Sequence, residues 1–356
     1  MKRAIILFTS IFILSGSLFS AAAKEADYYE KLPKKKIKCL LCPKHCPLSP
    51  GEEGDCRARK NIEGRLIAIN YGRIAALNID PVEKKPLYHF YPGSPILSIA
   101  SAGCNMHCKF CQNWTLSQNS PLKLSCRSME PEDIIGEAQK NRCRMIAYTY
   151  SEPVVSYEFT YECAKLAKKS GLKNVLVTAL LMEKDPLEKL MPYIDAVTVD
   201  IKSMDPEYYR KELGGELEPV LDNIISLFKA GIWIEIVYLA IPGKNDSGEM
   251  MRKFADWVLI NLGTCVPVHI LRFFPNYKMT DVPATPETRL KEIAEMLTKA
   301  GFKYVYLGNL RDSVYEATVC KKCGYALIER TGYVIRKNSA VYGKCPMCGT
   351  VIDGRF

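Results

Sequence analysis

The chain has 356 residues, 49 lysines and arginines against 39 aspartates and glutamates, and 15 cysteines. That length exceeds one small module and allows one large domain with appendages, or two domains. Hydrophobic residues at 48% and charged residues at 25% are ordinary globular values and argue against a disordered chain or a polytopic membrane protein, while the net charge of +10 first suggests nucleic acid or an acidic membrane.

Taken in chain order, Met1-Lys2-Arg3 precedes an uncharged run from Ala4 to Ala23 that closes on Ser20-Ala21-Ala22-Ala23. A basic start, an apolar middle and small residues make a secretory signal, and the run is also long enough for a single anchor. Residues 1–23 are therefore expected to direct export or anchoring, with a cytoplasmic protein as the alternative. Lys24 to Lys38 is basic and polar, as a linker would be. Cys39, Cys42, Cys46 and Cys56 follow, broken by Pro43, Pro47, Gly51 and Gly54. Clustered thiols read as metal ligands rather than disulfides, and four of them close a site. Zinc and a second 4Fe-4S cluster both fit, with zinc the commoner structural ion and His45 a spare ligand. Leu66 to Ile79 has strand character, after which Pro81, Pro86, Pro92 and Pro95 break any regular element.

From there the chain alternates. Strands are expected at Ile96–Ala100, Met145–Tyr150, Asn174–Ala179, Ala196–Ile201, Ile232–Ala240, Val268–Phe273 and Tyr304–Leu307. Helices are expected at Pro131–Lys140, Val154–Lys169, Pro186–Met191, Val220–Lys229, Met250–Asn261 and Glu287–Lys299. This α/β alternation predicts a parallel sheet covered by helices, closed or partial as a TIM-like (β/α) barrel, over residues 96–310. Residues 24–95 form the linker and cysteine-rich segment, and 311–356 a small appended module. In that module Cys320-x2-Cys323-Gly324 and Cys345-x2-Cys348-Gly349 stand 21 residues apart, the pattern of a zinc ribbon or a rubredoxin-like iron site. Cys126, Cys143, Cys163 and Cys265 read as core residues.

Cys104, Cys108 and Cys111 spell C-x3-C-x2-C directly after the first of those strands, where such folds place chemistry. Three thiolates can hold three irons of a 4Fe-4S cube and leave the fourth open. A zinc completed by His107 or a remote ligand is the alternative. With Phe110 before the third cysteine, the motif resembles that of the radical S-adenosylmethionine (radical SAM) superfamily. Further matches narrow the likeness: Asp80-Pro81-Val82-Glu83-Lys84-Lys85-Pro86, Gln112-Asn113-Trp114, Tyr148-Thr149-Tyr150-Ser151-Glu152-Pro153, Asp200-Ile201-Lys202 and Pro267-Val268-His269. These resemble the AmmeMemoRadiSam system radical SAM family, a relative of pyruvate formate-lyase activating enzymes, over roughly Cys39 to Cys348.

The resemblance implies S-adenosylmethionine (SAM) on the open iron, one-electron cleavage to a 5′-deoxyadenosyl radical, and hydrogen abstraction from an unidentified substrate or partner protein. It also implies a flavodoxin- or ferredoxin-like electron donor, and a Memo-like, AMMECR-like or glycyl radical enzyme as partner. A glycyl-radical activase is the alternative function, and a non-catalytic multi-metal electron-transfer scaffold a third. By the same likeness Phe110 lines the adenine and Glu152 meets the methionyl amine, although Tyr150-Ser151 replace the glycines of the related loop. Glu152 read without the likeness is a helix N-terminal charge. Asp200 and Lys202 share a strand face, so the likeness gives Lys202 to the SAM carboxylate or ribose and Asp200 to orienting it, against a plain salt bridge. His269 lines the SAM or substrate side by analogy, or is a core histidine. Lys244 and Asn245 are candidate substrate contacts. Filling the three cysteine sites would change the net charge by about −5, to roughly +5 or about +3 without the leader, which removes the case for nucleic acid.

Overall fold

The computed structural model describes residues 24–310, 314–340 and 342–356, so the expected leader lies outside the described residues. An eight-stranded sheet forms the centre: β1 (Ala76–Pro81), β2 (Pro95–Ala100), β3 (Met145–Tyr148), β4 (Lys173–Thr178), β5 (Ala196–Asp200), β6 (Trp233–Ala240), β7 (Val268–Arg272) and β8 (Val305–Gly308). The strands lie in chain order, β2 to β8 parallel and β1 antiparallel to β2. Among the described residues no ladder joins β1 to β8. Strands such as β3 and β5 are apolar without alternation because both faces are covered.

The covering helices are α1 (Pro131–Lys140), α2 (Tyr157–Lys169), α3 (Lys184–Leu190), α4 (Leu217–Lys229), α5 (Gly248–Asn261) and α6 (Glu287–Ala300). Their ends have local causes. Pro131 opens α1, where a missing N–H costs nothing, and the Glu130 N–H donates to Asp133 at 2.8 Å. The Ser247 hydroxyl caps α5 by accepting from Met250 at 3.1 Å. Gly301, at φ +110°, stops α6. Among the described residues no helix is long and apolar enough to cross a membrane.

The expected Leu66–Ile79 run is divided, and its last part joins the sheet as the edge strand Ala76–Pro81, ended by Pro81. An edge strand pairs on one side only, so it tolerates Asn78, Asp80 and a terminal proline. The β1–β2 connection folds back against the sheet and is pinned by buried Glu235. That carboxylate accepts from the Tyr88 and His89 N–H groups at 2.9 and 2.8 Å and contacts His269 Nε2 at 2.7 Å.

The C-terminal module is a three-stranded antiparallel sheet, Thr318–Val319, Ala326–Thr331 and Val334–Asn338. It clamps the same connection: Arg330 donates to the Tyr88 carbonyl at 2.9 Å, and Arg355 N–H to the His89 carbonyl at 2.7 Å. His89 itself is fully buried. Its Nδ1 lies 2.6 Å from the Asp353 carbonyl and so carries the proton, while Nε2 faces the Tyr306 hydroxyl at 2.6 Å. Burial pushes its pKa down to about 4. As pH falls below about 6.5 the unfolded chain takes up this proton and the folded chain does not, so stability drops. Urea unfolding is expected to show a loss of about 2 kcal/mol between pH 6.5 and 4.5 that His89→Gln lacks. An equal loss in the variant would assign the acid sensitivity to other groups.

Candidate functional site

The Cys104–Cys111 loop leaves the end of β2. Gly103 makes this possible: its φ is +101°, and a Cβ there would stand 2.6 Å from the Cys56 carbonyl oxygen. Cys104 N–H then donates to that carbonyl at 3.2 Å, joining the loop to the N-terminal cysteine segment. His107 pins the loop further, with Nε2 2.7 Å from Asp55 and Nδ1 3.0 Å from the Gln118 amide oxygen. The bond from His107 is the first reason that the Asp55 carboxyl is held well below its ordinary range. With both ring nitrogens taken, His107 has none left for a metal.

Two of the three thiols have contacts suited to sulfur ligands. Met106 N–H donates to Cys104 Sγ at 3.3 Å, and the Ser117 hydroxyl lies 3.3 Å from Cys111 Sγ. Burial pushes Cys104 well up, helped by the Glu152 charge, and raises Cys108 to about 11 against the pull of Lys202. Burial works the other way on Lys202, but Asp200 and then Cys108 outweigh it and hold the ammonium charged. Lys202 Nζ is 3.1 Å from Asp200, and the Lys202 N–H donates to the Tyr209 hydroxyl at 3.1 Å. Cys104, Cys108, Glu152, Asp200 and Lys202 therefore form one electrostatic group around the loop. Tyr209, which sequence reasoning missed, belongs to it through a π-helical turn at Tyr209–Leu213 that no composition signal marks.

Glu152 is 3% exposed and already engaged. It accepts from Val154 N–H at 3.2 Å, as the cap of a short 3-10 turn, from Ala179 N–H at 2.8 Å, and from the Thr178 hydroxyl. Beside it Tyr150 is left-handed, at φ +63°, a backbone region that favours glycine. A left-handed non-glycine residue costs roughly 1–2 kcal/mol. Its hydroxyl bond to Asp80 and the Lys85 ammonium 4.3 Å from its ring centroid offset that cost. Phe110 is buried next to the loop.

His269 stands apart from this group. Its partners are Glu235, Tyr88 and Tyr306, all in the packing beneath the β1–β2 connection, which is the place of a core histidine. Asn245 is also structural. It is 1% exposed, its amide donating to the Lys202 and Leu239 carbonyls at 2.8 and 2.9 Å, while Lys244 points to solvent.

The C-terminal quartet is drawn tight. Cys320 and Cys348 sulfurs are 3.6 Å apart, as are those of Cys323 and Cys345, and all four lie within 4.8 Å of one another. A tetrahedral ion with 2.3 Å metal–sulfur bonds sets sulfurs about 3.8 Å apart. Gly324 and Gly349, both left-handed, turn their N–H groups back to the Cys320 and Cys345 carbonyls at 2.9 Å. The quartet could bind a metal.

Comparison with known proteins supports this reading of the loop. The sequence pattern of the radical SAM superfamily matches residues 98–258, which span the three cysteines and β2 to α5. An uncharacterized protein of Methanocaldococcus jannaschii is 43% identical over 334 residues, covering 93% of this chain and 99% of its own. The (2S)-3-sulfopropanediol dehydratase activating enzyme of Klebsiella oxytoca is 26% identical over 40% of this chain and 47% of its own. The pyruvate formate-lyase-activating enzyme of Clostridium pasteurianum is 23% identical over 55% of this chain and 87% of its own. The chain belongs to the radical SAM superfamily and is homologous to the pyruvate formate-lyase activating enzymes.

Proposed function

We propose that Cys104, Cys108 and Cys111 hold a 4Fe-4S cluster at the edge of a partial (β/α) barrel, and that SAM binds beside them. The donor set carries this reading: three free thiols in one loop, Cys104 and Cys111 each with a polar neighbour at 3.3 Å and Cys108 favoured as thiolate by the Lys202 charge. Cluster and SAM together supply one-electron cleavage of a carbon–sulfur bond and hydrogen abstraction from a substrate. The chain's own residues hold and screen. Lys202, kept charged by Asp200, balances the thiolate charge and is the group available to a SAM carboxylate. Glu152 fixes the β3–β4 edge on which the methionyl part would lie, and Tyr209 fixes the Lys202 backbone. Buried Phe110 offers an apolar wall to the adenine. Loading the site releases the thiol protons that burial holds in place. Zinc in the C-terminal quartet would stabilise a module too small to bury a core of its own.

A second reading makes the chain an activase that acts on a glycyl radical enzyme. The names of the sulfopropanediol dehydratase and pyruvate formate-lyase relatives favour it. Reconstituted anaerobically with iron and sulfide, the protein is expected to convert SAM to 5′-deoxyadenosine in the presence of dithionite. No product above the enzyme-free control would end both readings. A glycyl-radical EPR signal on a co-incubated candidate enzyme would select the activase.

A further inference from the structure

Cys39, Cys42, Cys46 and Cys56 together line one small pocket, with Arg59 and Asn105. The contrast with the C-terminal quartet is geometric. Among the described residues, Cys320, Cys323, Cys345 and Cys348 are the metal-ligating group gathered to within 4.8 Å, the spacing of a single ion. The four N-terminal cysteines line one pocket without being gathered to that spacing. One thiolate to each iron corner of a cube needs a wider ring, and four thiolates leave no iron open.

The cavity wall is mostly apolar, with Leu41, Leu48 and Val155 between the cysteines. Arg59 also lines it. Its guanidinium is 1% exposed, and Nη1 and Nη2 bond Glu158 at 3.1 and 2.7 Å. Its Nε is buried with no partner. An orphaned donor on a charged group in an apolar wall is costly. Cluster sulfides and cysteine sulfurs are acceptors of the kind it lacks, and such hydrogen bonds tune iron–sulfur sites. The site abuts the SAM loop: Cys56 carries the carbonyl that receives the Cys104 N–H at 3.2 Å, and Asn105 borders the cavity.

We propose that Cys39, Cys42, Cys46 and Cys56 hold a second, fully ligated 4Fe-4S cluster in contact with the first, a placement that rests on the reading of Cys104, Cys108 and Cys111 given above. The test is acid-labile sulfide per chain in the full-length protein after anaerobic reconstitution. Sulfide is the measure because zinc or a lone iron in the C-terminal quartet brings none. Wild type is expected to hold about eight sulfides, and the Cys104→Ala/Cys108→Ala/Cys111→Ala variant about four. After reduction, the wild-type EPR signal is expected to be split by the neighbouring cluster and that of the variant unsplit. A variant with no sulfide and one added zinc overturns the proposal. A variant that loses no sulfide instead overturns the reading of the SAM loop, so the two failures differ. Should the triple variant not fold, Cys42→Ala/Cys46→Ala is expected to lower the wild-type count from about eight to about four, and a count of about four in both proteins overturns the second cluster.

Discussion

Cys108→Ala is expected to reduce 5′-deoxyadenosine formation to the enzyme-free background. Of the three loop cysteines Cys108 is the buried one, 8% exposed, and it is the thiol whose ionised form the Lys202 charge favours. Its loss leaves two thiolates where three irons need ligands, and it leaves the Lys202–Asp200 pair without the third charge it was built around. The drop should exceed the roughly 100-fold that loss of an outer partner of a metal ligand costs. Product measured by chromatography after dithionite and SAM decides it. A variant within tenfold of wild type would mean that this loop is not the site.

Glu158→Gln is expected to destabilise the protein by about 3–5 kcal/mol. Glu158 and Arg59 side chains are each 1% exposed and meet through two nitrogens, and Glu158 also accepts from Asp27 N–H at 3.0 Å. Glutamine leaves the Arg59 charge uncompensated in an apolar interior, which costs far more than the pair contributes over apolar residues of like size. The double variant Arg59→Met/Glu158→Leu is therefore expected to recover most of the loss in urea unfolding. A single-variant cost below about 1 kcal/mol would show that water reaches the guanidinium. The pair ties the hairpin Arg59–Ile62/Arg65–Ala68 to α2, so its loss should be felt in the N-terminal cysteine segment first.

Much of the fold was legible because parallel strands buried on both faces write themselves as apolar runs. The expected strand at Ile96–Ala100 is Pro95–Ala100 in the structure, and Pro131–Lys140 is reproduced residue for residue, because proline marks that helix start. Strand β1 was legible only as the tail of the Leu66–Ile79 run, without its bounds or its place in the sheet. It sits at an edge, Ile79 is 49% exposed, and polar residues alternate through it. The cysteine loop could be read from spacing alone, as could the C-terminal knuckles. Their neighbours could not. Asp200 and Lys202 were expected to share a face, but nothing local shows that the Lys202 charge acts on Cys108. His269 sits in a strand as expected, yet its partner Glu235 lies 34 positions away, and only the β6–β7 register brings them together. The same limit hid the Arg59–Glu158 pair, 99 positions apart. The left-handed backbone of Tyr150 and its hydroxyl bond to Asp80, 70 positions away, were likewise not visible in the local sequence.

The strict strand order of the sheet has a consequence for synthesis. Each parallel strand pairs with the one just made, so the sheet can grow on the ribosome without waiting for distant segments. The β1–β2 connection is the exception: the His89 carbonyl and the Tyr91 N–H both pair with Arg355, at 2.7 Å each. An emerging chain thus carries two backbone groups in the β1–β2 connection without their final partner until Arg355 has been made. A nascent chain halted earlier would expose that connection to proteases, which makes the synthesis of Arg355 a checkpoint on the whole sheet.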